Sequence, residues 1–278
     1  MKKRLCCIVL ALLLLAGLLP AGALAADTGV STWTQLQSAL QDGGSIRLDA
    51  DIAAAVGDSE LTVPENATVT LDLNGHSIDL TMTDTEYEID YGGSIALFGK
   101  LTVRDGSGAQ NGCITGGRVG IYAFGSAELT LSSGRISGNR DPLNNSGTGV
   151  QIEQRASFTM NGGEISGNAA GEHGGGVYCA AGSEEVYNAK LLLTDSPVVT
   201  DNTVPGGAEN VYHSHISYTD YHDQTYDQSC VIDVTGPLGA GVLSGHDAGI
   251  PDPQADATRA EVVRLVMNFD LTRKGGIV

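Results

Sequence analysis

Two stretches of the chain can be laid over one another residue for residue. "GIYAFGSAELTLSSGRISGN" runs from Gly120 to Asn139, and "GVQIEQRASFTMNGGEISGN" runs from Gly149 to Asn168. The offset of 29 takes Leu131 to Met160 and Asn139 to Asn168. A looser third copy, "GVYCAAGSEEVYNAKLLLTDSPVVTDN", extends from Gly176 to Asn202 and places Leu193 at 33 residues beyond Met160. Upstream, "LTVPENATVTLDLNGHSI" and "SIALFGKLTVRDGSGAQNGCITG" read as degenerate copies, so the repeat covers about residues 60 to 205. Self-similarity at such a period is the signature of a stacked architecture. The 38 glycines fit turns that recur at fixed places in each unit.

Within a unit the pattern is three short runs separated by turns. "GVQIEQ" alternates, "SFTMNGG" alternates, and "EISGN" ends at a corner. Period-2 apolar positions in β-compatible residues argue for strands, and no period of 3.6 appears between residues 60 and 205. Three strands per unit without intervening helices predict an all-β solenoid, a right-handed parallel β-helix. Val150, Ile152, Phe158, Met160 and Ile165 are expected to point inward, against Ile121, Leu129, Leu131 and Ile136 of the preceding turn. One turn cannot bury that face alone; a stack can. Asparagine tolerates the left-handed backbone region, so "SGN" suits a sharp corner. Repeated there, Asn139, Asn168 and Asn202 could stack their amides along the axis.

A solenoid has two open ends that invite edge-to-edge pairing unless covered. "STWTQLQSALQDGG" supplies one cover: Thr32 and Gln35 form a capping box, Trp33, Leu36 and Leu40 fall on one face, and Asp42-Gly43-Gly44 stops the helix. "ATRAEVVRLVMNF", with Thr258 and Glu261 as a second capping box, predicts a C-terminal helix. The expected organisation is a leader at 1–25, an N-terminal capping helix at 26–44, the β-helix over 45–240, a linker at 241–257 and a helical tail at 258–278.

The leader reads as a secretory signal peptide. Lys2, Lys3 and Arg4 precede an apolar run from Leu5 to Leu19, and Ala23 and Ala25 stand before the expected cleavage point. The run is too short for a stable span and none like it follows, so the mature chain is expected to be secreted or at the cell surface, with no membrane span. Removing those three basic residues takes the formal net charge from −18 to −21. Such acidity disfavours nucleic acid and anionic membranes as partners. Cys113, Cys179 and Cys230 remain after the leader, enough for at most one disulfide and a free thiol.

The segments "IRLDADI", "VTLDLNGHSI", "GGEISGN" and "GGGVY" together resemble the pectin-lyase-like right-handed parallel β-helix group of secreted bacterial proteins. More closely, the chain is similar to large adhesin-like surface proteins of anaerobic Gram-positive and gut bacteria. The resemblance covers about residues 31 to 240. It implies a non-enzymatic surface protein of adhesin-like or structural type, with glycans, host surfaces or cell-wall polymers as partners. "TRAE", Thr258 to Glu261, resembles a fragment of a surface-layer homology module. The same group includes polysaccharide lyases and glycoside hydrolases, which is the alternative function.

Catalysis on this scaffold needs a basic residue beside acidic side chains, or two or three aspartates close together. No such constellation stands out, and no catalytic residue is assigned. Asp84, Glu86, Glu88 and Asp90 of "DTEYEID" are spaced by two and could share one face, a carboxylate row able to hold Ca²⁺. The plainer reading of the same row is a solvated acidic loop between turns. In "YHSHISYTDYHDQTYD", His213 and His215 would point the same way on a strand, with Asp220, His222 and Asp223 close behind, a donor set suited to Zn²⁺. Tyr212, Tyr218, Tyr221 and Tyr226 of that stretch could form an aromatic surface for sugars. A plain insertion loop is the third reading. Asp72 and His76 read as structural, and His173 as a solvated loop histidine.

Overall fold

The computed structural model describes residues 27–55, 57–82, 93–141, 147–182, 187–195, 197–219, 225–235, 243–246 and 263–265. The chain is a parallel β-helix whose coils visit three sheets in turn. The repeat unit shows the order. Val150–Ile152 lies in sheet 1, Ser157–Met160 in sheet 2 and Glu164–Ser166 in sheet 3. These are the three runs read from the sequence. A short strand, Ala169–Ala170, adds a fourth contact that period-2 analysis missed, pairing with Arg140–Asp141 and Thr203.

Registry between coils follows the offset of 29. Ile121 pairs with Val150, Leu129 with Phe158, Leu131 with Met160 and Ile136 with Ile165, all parallel. Each of these side chains is buried, and Phe158 is the largest fully buried one. Full burial of one such side chain contributes about 1.5–3 kcal/mol. A single coil exposes that face to water, so the stabilisation exists only between neighbours.

The "SGN" corner holds an asparagine ladder, with one correction to its logic. The left-handed residue is the glycine before the asparagine: Gly138 at φ 71° and Gly167 at φ 64°, with Asp201 at φ 55° in the third copy. The asparagines are thereby freed to turn inward. Asn139 Nδ2 donates to Asn168 Oδ1 at 3.0 Å, and Asn168 Nδ2 donates to Asn202 Oδ1 at 2.9 Å. The same acceptors also take the backbone N–H of Asn139 and of Asn168, each at 3.1 Å. The ladder continues to Asn210, which accepts from Asn202 at 3.0 Å. All three expected members are completely buried. A Cβ on Gly149 would lie 2.3 Å from the Gly176 carbonyl of the next coil and 3.0 Å from Asn168 Nδ2 and Ile165 Cγ2, so glycine there is what lets adjacent coils approach beside the ladder.

The N-terminal cover forms as α1, Trp33–Asp42, with Thr32 as N-cap and Gly43 at φ 78° as its stop. The Thr32 hydroxyl accepts from Gln35 N–H at 3.3 Å. The return bond from the capping box goes one residue further back, Ser31 N–H to Gln35 Oε1 at 2.9 Å. Trp33, Leu36 and Leu40 are buried, and Trp33 Nε1 donates to the Ser59 carbonyl at 3.0 Å.

At the other end the expectation changes. Leu243–His246 joins sheet 1 beside Val211–His213, so the solenoid continues into residues expected to be linker. Val263–Leu265 is a strand, antiparallel to Val231–Val234, where a helix was expected. The edge strand offers unpaired N–H and C=O groups, and their pairing outweighs the helical spacing of those residues. The rest of 258–278, like the leader, lies outside the described residues.

Candidate functional site

The corner that carries the chain from sheet 1 to sheet 2 is built the same way in successive coils. The first residue past each sheet-1 strand donates its N–H to the last residue of the neighbouring one. The series runs Phe98 to Val63, Phe124 to Leu97, Glu153 to Ala123, Ala180 to Ile152 and Ser214 to Cys179, at 2.9–3.1 Å. The turn then closes on a small residue: Ala127 N–H to Phe124 O at 3.3 Å and Ala156 N–H to Glu153 O at 3.1 Å. Those alanines are buried, so the residues between them and the strand are pushed outward.

What is pushed outward is aromatic and polar. A cleft of about 610 Å³ is lined by Phe98, Phe124, Lys100, Gln154 and Arg155 with their neighbours. A second, of about 540 Å³, is lined by Glu153, Gln154, Tyr178 and Tyr187 among others. They share Gln154, which turns the chain at φ 54°. The two clefts adjoin at that residue along the stack, and the rings that line them are half-buried. The Arg155 guanidinium lies over the Tyr187 ring at 5.3 Å, and Phe124 stacks on Tyr122 at 5.9 Å. Glu153 accepts from Tyr122 Oη at 3.1 Å and from Gln151 Nε2 at 2.6 Å. Rigid rings beside fixed carboxylate and amide groups suit a flat ligand with an apolar face and hydroxyl edges.

Sequence reasoning missed these clefts because their members are scattered over several coils with no shared local motif. The signal that could have found them is the position just past each sheet-1 strand, occupied by Phe98 and Phe124 in consecutive copies.

A second aromatic stack occupies the outer face of sheet 1. Tyr178 and Tyr212, partners across the sheet, stack at 5.6 Å, and His173 stacks on Tyr212 at 4.1 Å. His173 stays on a loop with its side chain 37% exposed, as expected, but one face of its imidazole is laid on the Tyr212 ring. Tyr212 is 3% exposed and packs inside this stack. Its expected partners lie elsewhere. Tyr218 and Tyr226 are backbone register partners in an antiparallel hairpin, His215–Thr219 with Thr225–Ser229, and Tyr221 lies outside the described residues.

The expected zinc donors are also divided. Ser214 sits at the corner, so His213 ends a sheet-1 strand whereas His215 opens the hairpin. His213 is buried, with Nε2 donating to the Cys230 carbonyl at 3.1 Å. Asp220, His222 and Asp223 lie outside the described residues, as do Asp84, Glu86, Glu88 and Asp90 of the expected calcium row. Among the described residues no group of three or more His, Cys, Asp or Glu side chains is placed to hold a metal.

Buried carboxylates serve the frame. Asp72 Oδ1 accepts from Asn74 and Gly106 N–H at 2.9 and 2.7 Å, and its Oδ2 lies 3.0 Å from Arg104. Asp105 accepts from Gly75, Ser107 and Gly112 N–H at 2.9, 2.9 and 2.6 Å. Burial works against its ionisation, but the bonds from Ser107, Gly112 and Gly75 outweigh it and hold the carboxyl below the usual range. His76 lies 3.5 Å from Asp51. Asp141, nearly inaccessible, is met by Arg118 at 2.9 Å.

No family model matches the chain, and searches of the curated proteins and of the solved structures return no match. Among the described residues no helix is long and apolar enough to cross a membrane.

Proposed function

We propose that this is an exported, pectin-lyase-like β-helix of adhesin-like type, a non-enzymatic surface protein that binds glycans in the clefts between sheets 1 and 2. The observation that carries it is the pair of clefts adjoining at Gln154, lined by the Phe98, Phe124, Tyr178 and Tyr187 rings. A row of rings on a rigid scaffold offers successive stacking places to a polymer, and rigid aromatic anchors bind with little loss of side-chain freedom. The commitment of Asp72, Asp105 and Asp141 to backbone amides or arginines supports a binding role over an acid–base one.

A panel of immobilised host and cell-wall glycans, followed by calorimetry on the best binder, tests this directly. Tyr187→Ala and Phe124→Ala should each weaken binding by roughly 10-fold and leave the melting temperature nearly unchanged. Incubation with acidic polysaccharides, with and without Ca²⁺, should yield neither unsaturated products nor new reducing ends. Turnover in that assay would replace the binding role with an enzymatic one.

A further inference from the structure

Where the hairpin 215–229 leaves and rejoins the β-helix, two cysteines from different coils meet. Cys179 ends a sheet-1 strand with its side chain fully buried, and Cys230 stands just before the sheet-2 strand of the next coil, also fully buried. One residue ties their backbones: Ser214 N–H donates to Cys179 O at 3.1 Å, and Cys230 N–H donates to Ser214 O at 3.2 Å. The Cys179 thiol points across the coil boundary, toward the Val231 carbonyl at 3.9 Å. The His213 ring closes the third side, on the Cys230 carbonyl.

We infer that Cys179 and Cys230 are a disulfide-forming pair that staples two successive coils at the root of the hairpin. Cys113 provides the contrast within the same molecule. All three thiols are free and buried, but the Cys113 sulfur lies 3.7 Å from the Ile114 carbonyl and from Ser137 Oγ, away from the Ser214 corner. A solitary buried cysteine is simply a small apolar side chain; two brought to one corner, with an imidazole beside them, are placed for thiol–disulfide chemistry.

The environment also distinguishes the two sulfurs. Burial pushes the Cys179 thiol well above its ordinary value, and its contact with Cys230 adds to this. Burial opposes ionisation of Cys230 as well, but contact with Cys179 and the neighbouring His213 overcome it and hold that thiol down. During folding the thiolate of one cysteine attacks a small-molecule disulfide, forming a mixed disulfide and releasing one donor thiol. The thiolate of the other cysteine then attacks the protein sulfur of that mixed disulfide, the bond to the donor breaks, and the second donor thiol leaves. The two cysteines are oxidised by two electrons, their two protons pass to the donor thiols, and the donor disulfide is the species reduced.

The test is to refold the full chain from guanidinium in a mixture of oxidised and reduced glutathione, alkylate the remaining thiols and digest with trypsin. Cleavage after Arg155, Lys190 and Arg259 places Cys179 and Cys230 on separate peptides, 156–190 and 191–259. The expected result is one cross-linked product of these two, lighter than their sum by two hydrogens, with Cys113 recovered alkylated. A melting temperature raised by roughly 10 °C over the reduced chain should accompany it, and Cys230→Ser should abolish both changes. Recovery of Cys179 and Cys230 as alkylated thiols, or linkage of either to Cys113, overturns the inference.

Discussion

The coil at 150–170 and the one that begins at Val177 share the same three sheets and differ in everything between them. In the first, short turns separate the sheet strands, and every core position has a counterpart 29 residues earlier. In the second, the passage from sheet 1 to sheet 2 is longer, and the hairpin Thr203–Val204 with Gly207–Ala208 follows the ladder corner. The next passage, from Val211–His213 to Val231–Val234, carries the larger hairpin. Core registry survives all of this: Leu191 and Leu193 still pair with Phe158 and Met160. Registry within a stack is set by strand pairing with the preceding coil, so segment lengths between strands are free to vary. The interrupted coils carry the cysteine pair, the aromatic stack and the Tyr178 and Tyr187 end of the clefts; the regular coil carries core, a ladder asparagine and the Glu153 to Arg155 corner at which the clefts adjoin.

This division can be broken by substitution, and the largest effect belongs to the regular coil. Phe158→Ala should cost about 3–5 kcal/mol in denaturant unfolding, since the rigid stack above and below it cannot collapse into the cavity. Asn168→Ala should follow at about 2–4 kcal/mol, because it strips acceptors from the buried Asn139 amide and backbone N–H together. Hydrogen exchange should localise that loss to the coils on either side. A Phe158 effect below 1 kcal/mol would mean that the regular coil is not where the stability resides.

Next comes acid. The folded carboxyl of Asp105 ionises at lower pH than in the unfolded chain. Its stabilisation is therefore complete above the usual value of about 4 and is lost as pH falls through the lower folded value. Asp105→Asn should lower stability at neutral pH by about 1–3 kcal/mol and flatten the acid limb of the stability curve. An unchanged limb would assign acid sensitivity to other carboxylates. The smallest effect is expected from the interrupted region: replacing residues 216–228 by a short turn should shift reduced-chain stability by less than about 1 kcal/mol. A larger loss would make the hairpin part of the fold.

The regular half of the molecule could be read from sequence because its information is local and repeated. Val150, Ile152, Phe158, Met160 and Ile165 announce themselves by alternation, and Asn139 and Asn168 by recurrence. The remainder depended on geometry that alternation does not encode. Asn210 joins the ladder only eight residues after Asn202, since the small hairpin folds the chain back on itself. The strand at Val263–Leu265 reflects an available sheet edge, a property of a distant segment. The clefts are assembled from Phe98, Phe124, Arg155 and Tyr187, one or two residues per coil, and become a site only when the coils are stacked.

The corner at Ser214 has one further consequence. The chain departs and returns through neighbouring backbone hydrogen bonds on a single residue, and beyond the foot of the hairpin, where Asn188 Nδ2 donates to Gln228 Oε1 at 3.3 Å, the segment between those points adds no strand to the three sheets. That corner is in effect a socket, into which a foreign loop or a small domain with adjacent ends could be plugged, to be displayed at a fixed height along a rigid rod.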